Sequence, residues 1–163
     1  MNVKRSQARK HAVQAIYQWQ VAGQDVNDIV NQFLEEQDLD SFEIPYFQDL
    51  LRGVSSHLLQ LDELLEPSLD RAIESVDPVE RAILRLGVYE LSHKLEIPYR
   101  VVINEAVELA KVFGAEQGHK FVNGVLDQVA KQVRSVEIKA KKVRTKKPRY
   151  PPSVLLILFF IPF

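Results

Sequence analysis

The sequence predicts an all-α protein. Three observations carry that prediction. Apolar residues recur every three or four positions along most of the chain, the period of a helix that buries one face. Asp, Asn, Pro and Gly stand where such helices must begin or end. Strict apolar and polar alternation, the mark of a half-buried strand, is weak throughout. Together these features predict about seven helices.

The first helix is predicted over Val3 to Ala22 and closed by Gly23. Ala8, Ala12, Ala15, Ile16 and Trp19 form its buried stripe, whereas Lys10, Gln14 and Tyr17 share another face at i, i+4 and i+7. A second helix starts near Asp25 or Asn27 and carries Ile29, Val30, Phe33 and Leu34. A third starts near Pro45, a good first-turn residue, and buries Phe47, Leu50, Leu51, Val54 and Leu58. Leu61, Leu64 and Leu65 continue into a short helix that Pro67 interrupts.

The next helix has a clear start. Asp77 caps it, Pro78 suits its first turn, and Glu80 is placed to complete a capping box. It is apolar on two sides, with Val79, Ile83 and Leu86 on one and Leu84, Val88 and Leu91 on the other. Such a helix belongs at the centre of a bundle. In the following helix Ile103, Ala106, Ala110 and Phe113 face inward, and Asn104, Glu108 and Lys111 face outward. Gly114 stands where a left-handed residue ends a helix. The last helix buries Val122, Val125, Leu126, Val129 and Val133. Phe121 lies off that stripe, on a polar side with Gln117, Gly124 and Gln128.

A length of 163 residues fits one domain with a substantial core. The absence of cysteine excludes disulfides and thiolate chemistry, and agrees with a reducing cytoplasm. No continuous apolar run follows the basic N-terminus, so no signal peptide is expected. The net charge of −1 hides a split: the seven basic residues from Lys139 onward face no acid, while residues 1–138 hold 14 basic and 22 acidic side chains. Lys4, Arg5, Arg9, Lys10 and His11 crowd the start, and eight acids with no lysine or arginine lie between Asp25 and Asp49. A basic arm on an acidic body can hold an anionic polymer at one place and repel it elsewhere. The acidic stretch alone reads as a solvated helical surface.

The domain is expected to span residues 1–135. Residues 136–163 are basic, then proline-containing, then apolar, and are expected to be a disordered tail. The apolar end is shorter than the roughly 20 residues needed to cross a bilayer, so a membrane role is not expected. A peripheral anchor and a second nucleic-acid contact remain open for it.

Catalytic signals are missing. His11, His57, His93 and His119 show no metal-ligand spacing, and there is neither a phosphate-binding glycine loop nor a nucleophile elbow. Glu105 and Glu108 fall on surface spacing. The chain reads as a binding protein without a cofactor. Its basic start offers groups for phosphate oxygens. Tyr17 is suited to stacking on a base or to half-burial in the core, and Phe121 to base stacking or to packing on another helix.

Several long motifs add a resemblance. They are Ala12 to Gln20 (AVQAIYQWQ), Asp77 to Arg85 (DPVERAILR), Tyr89 to Leu91, Ile103 to Lys111 (INEAVELAK), Phe113 to Ala115 (FGA) and His119 to Asp127 (HKFVNGVLD). In this order and spacing they resemble the NusB transcription antitermination factors, over roughly residues 4–134. The resemblance implies two packed helical subbundles. It also implies an antitermination factor for ribosomal RNA operons that binds single-stranded boxA RNA with ribosomal protein NusE and joins an antitermination complex on RNA polymerase. The RNA-binding positions it implies are Lys4, Arg5, Arg9, Lys10, Gln14, Tyr17, Gln117, His119, Lys120 and Phe121. Those implied for NusE are Glu74, Glu80 and Arg85. Ser6 and Gln7 interrupt the basic cluster, and Gln117 stands where the family can carry an acid. A homodimer stays open. Two other readings also remain: the RNA-binding domain of a ribosomal RNA methyltransferase, and a helical scaffold without RNA affinity.

Overall fold

The computed structural model describes residues 2–145, with side chains described through Val143. Among these residues there are eight α-helices and no strand: α1 Val3–Ala22, α2 Val26–Glu36, α3 Ile44–Ser56, α4 Leu58–Leu65, α5 Pro78–His93, α6 Tyr99–Phe113, α7 Gly118–Val133 and α8 Ser135–Thr145. Two single 3₁₀ turns, Glu66–Ser68 and Ile73–Ser75, lie between α4 and α5.

The helices start where local chemistry directs them. The Asn2 side chain accepts from the Arg5 N–H, and that of Asp25 accepts from Asn27 and Asp28, which satisfies orphan donors at both starts. Gly23 ends α1 at φ 64°, a left-handed conformation that costs glycine little. Asp77 caps α5 through the Val79 N–H, but Glu80 makes no return hydrogen bond, so the capping box is only half formed. Gly114 differs from expectation. Its backbone is extended (φ −87°, ψ 176°), and glycine is required because a Cβ there would lie 2.7 Å from the Ala110 carbonyl oxygen.

Helices α1, α2 and α3 pack together, while α4, α6 and α7 pack around α5; contacts of α1 and α3 with α5 join the two groups. Every residue of α5 from Ala82 to Leu91 is buried, as expected of a central helix. In the N-terminal group His11 sits edge-on to Phe42, with centroids 4.6 Å apart, and Phe33 and Phe47 complete the aromatic cluster. His11 thus belongs to the core and leaves the basic cluster of the N-terminus.

The expected boundary at residue 135 is displaced. Helix α8 continues to Thr145, and Arg134 explains why. Its guanidinium is 3% exposed and donates to the carbonyls of Leu91, Ile97, Lys94 and Glu90. Glu137 accepts from Arg134 and from the Tyr99 N–H, pinning the first turn of α8 to the start of α6. These hydrogen bonds fix the first turn of a helix whose own apolar face is weak. The expectation of a disordered tail from residue 136 therefore fails for residues 136–145. For residues 146–163 it lies outside the described residues.

Candidate nucleic-acid interface

Helix α1 turns Lys10, Gln14 and Tyr17 outward. Gln14 is exposed, Lys10 is half-exposed, and the Tyr17 ring is 40% exposed. A groove of about 190 Å³ runs beside Tyr17, lined by Val13, Gln14, Val79 and Phe113. Its walls come from α1, the first turn of α5 and the last residue of α6. The start of α7 adjoins the same turn of α5, because the Glu80 carboxylate lies against the Cα of Gly118. The fold therefore gathers two distant segments, around 10–17 and around 117–121, about the first turn of α5. Phe113 and Val79 complete this neighbourhood. Neither had marked itself as functional in the sequence, where both count as ordinary members of buried stripes.

At the start of α7, Gln117 just before the helix and Lys120 within it are exposed, and His119 and Phe121 are half-buried. One side of the Phe121 ring packs on the core. The Arg71 guanidinium lies over the ring, 5.1 Å from its centroid. The packing reading of Phe121 therefore holds in part. Among the described residues no carboxylate forms an ion pair with Lys4, Lys10 or Lys120, so these ammonium groups are available to phosphate.

Two of the basic residues have other engagements. Arg9 is 3% exposed and forks onto Glu90. An arginine so buried and so paired cannot reach a phosphate, and it leaves the RNA set. Its role is internal. Glu105 completes the same cluster, accepting from Ser6 Oγ at 2.8 Å and lying 3.6 Å from Arg9, which corrects its assignment to the surface. Arg5 is intermediate. It pairs with Glu43 at 2.9 and 3.1 Å across the Tyr46 ring, with its side chain 32% exposed.

The partner positions divide in the same way. Glu74 is exposed beside a groove of about 670 Å³ that also carries Asp62, Glu63, Glu66 and Asp70, with Arg71 as its one basic residue. Glu80 is 8% exposed, and burial followed by nearby Asp77 pushes its carboxyl above the usual range. Arg85 is also 8% exposed and forks onto Asp62 at 2.9 Å while donating to Gln20. It lines a groove of about 400 Å³ with Trp19, Gln20, Glu74 and Arg81.

Residues 6–131 match the model of the NusB family. The chain belongs to the NusB family. A NusB transcription antitermination protein of Shewanella amazonensis is 57% identical over 126 residues, 77% of this chain and 94% of that protein. The NusB structure of T. maritima matches with a TM-score of 0.72 at 32% identity, covering 81% of this chain and 94% of the other. A crystal structure of antitermination factors NusB and NusE in complex with dsRNA contains a chain that matches with a TM-score of 0.71 and 31% identity, over 81% of this chain and 99% of the other. NusB proteins are transcription antitermination factors and act without catalysis. No described helix is long and apolar enough to cross a membrane.

Proposed function

We propose that this antitermination factor recognises boxA in nascent RNA together with NusE, and so supports transcription of ribosomal RNA operons from within an antitermination complex on RNA polymerase in the cytoplasm. The observation that carries this reading is the convergence of Tyr17 and the first turns of α7 on the start of α5, with unpaired lysines nearby. Lys4, Lys10, Lys120 and, once released from Glu43, Arg5 hold phosphates. Tyr17 and Phe121 offer ring faces to unpaired bases, while Gln14 and Gln117 offer amides to base edges. The related chain crystallised with NusE and dsRNA supports NusE and RNA as the classes of ligand.

The acidic groove that contains Glu74 suits a basic protein, and a cationic partner would favour the charged form of Glu80, which burial and Asp77 disfavour. The deciding experiment titrates labelled boxA RNA and a scrambled control with the chain, with and without NusE. The reading requires boxA to bind more tightly than the control, more tightly again with NusE, and less tightly as salt rises. Absence of salt-dependent RNA binding would leave a helical scaffold.

A further inference from the structure

We propose that Arg71 is a further RNA-contacting residue, the upper jaw of a base-stacking site whose lower jaw is Phe121. The proposal rests on the RNA-binding reading above and names a residue that neither the sequence motifs nor the RNA set includes.

Arg71 lies in the short stretch between the two 3₁₀ turns, outside any helix. Its guanidinium faces the Phe121 ring at 5.1 Å. The side chain is 47% exposed at the edge of the acidic groove that contains Glu74, and among the described residues its ion pair is with its neighbour Asp70, itself 71% exposed. That pair uses Nε and Nη2, leaving other N–H donors of the fork directed elsewhere. The surface of α7 near the ring is open at Gly124. Gly124, one turn further along the same stripe of α7, would meet nothing within 4 Å if it carried a Cβ.

A planar cation above an aromatic ring matches what a nucleobase needs on both its faces. Guanidinium planes and aromatic rings are the two surfaces on which unpaired bases stack. A base between them needs about 7 Å, twice a van der Waals contact. The jaws must therefore part by about 2 Å, and an exposed arginine paired with an exposed neighbour, with the Glu80 charge as a further attraction, can make that movement. The remaining donors then face the phosphate of the inserted nucleotide.

The test uses boxA RNA carrying 2-aminopurine at successive positions, titrated with the full chain and with Arg71→Ala and Arg71→Lys. The wild type should quench one position strongly. Arg71→Ala should lose that quenching and bind about three- to tenfold more weakly. Arg71→Lys should keep the salt dependence, because it keeps the charge, but not the quenching, because an ammonium has no plane to stack. Unfolding midpoints should agree among the three proteins. Wild-type binding matched or exceeded by Arg71→Ala would overturn the proposal and make Arg71 a mere cover for the ring. Failure of the wild type to bind RNA at all would overturn the functional reading, and this proposal with it.

Discussion

Arg9 forks onto Glu90 in the interior, with Nε 3.0 Å from Oε1 and Nη2 3.0 Å from Oε2, their side chains 3% and 1% exposed. Tyr46 donates its hydroxyl to the same carboxylate. The pair ties α1 to α5, and so the N-terminal group of helices to the central one. Arg9→Ala should therefore cost about 3–5 kcal/mol of stability, the usual effect of leaving a buried charge unpaired. Denaturant unfolding measures it. Whatever fraction of the variant stays folded should keep the wild-type salt slope for RNA. A stable variant with a shallower slope would return Arg9 to the interface.

Glu43 restrains the one arginine of the N-terminal cluster that remains near the surface. Glu43→Gln should free Arg5 and tighten RNA binding at low salt, at a stability cost below about 1 kcal/mol for a partly exposed pair. The hydrogen bond from Arg5, assisted by the charges of Arg5 and Arg9, holds the Glu43 carboxyl below the usual range against the opposing effect of burial. A carboxyl lowered by folding adds stability above its unfolded pKa and loses it as pH falls through the folded value. The stability difference between wild type and Glu43→Gln should thus vanish on acidification below about pH 4. A difference that persists there would show that the pair does not depend on charge.

Two glycines of α7 should respond oppositely to the same substitution. At Gly124 a Cβ meets open space, so Gly124→Ala should stabilise the helix by up to about 1 kcal/mol. At Gly118 a Cβ would lie 2.3 Å from Glu80 Oε1, the end of a movable side chain. Gly118→Ala should displace that carboxylate and weaken NusE binding while disturbing the fold little. Thermal melts and NusE titration separate the two effects; unaltered NusE affinity would remove Glu80 from the partner surface.

Phe121→Ala should weaken boxA binding by about 1–3 kcal/mol, the range for losing one stacking ring. Because the ring is half-buried, a stability cost on the order of 1–2 kcal/mol should accompany it. Gln117→Glu avoids that ambiguity. An acid just before α7 is favourable by about 0.3–1 kcal/mol at a helix N-terminus. It also repels phosphate, so stability should hold while affinity falls, and the loss should shrink as salt rises. Equal or tighter binding by the glutamate variant at low salt would place residue 117 away from RNA.

The helices were legible because their signals are local. Asp25, Pro45 and Asp77 with Pro78 mark starts, Gly23 marks an end, and the two apolar stripes of α5 already require a central position. Helix α8 was not legible. Its anchor is a set of hydrogen bonds from Arg134 to carbonyls about 40 residues earlier in the chain, which no periodicity encodes. Arg9 and Glu105 were misplaced for a related reason: a charged side chain looks solvated until its buried partner is known. Arg71 left no mark, because its contact with Phe121 spans 50 positions.

The central claim is that RNA lies across the outer face of α1 and the first turns of α7. Amide chemical-shift mapping on the isotope-labelled chain, titrated with boxA RNA, tests it most directly. Perturbations should concentrate at Lys10, Gln14, Tyr17 and residues 117–121, with Arg71 among them and with α2 silent. Perturbations confined to α2 and α3, with Tyr17 and Phe121 unmoved, would contradict it.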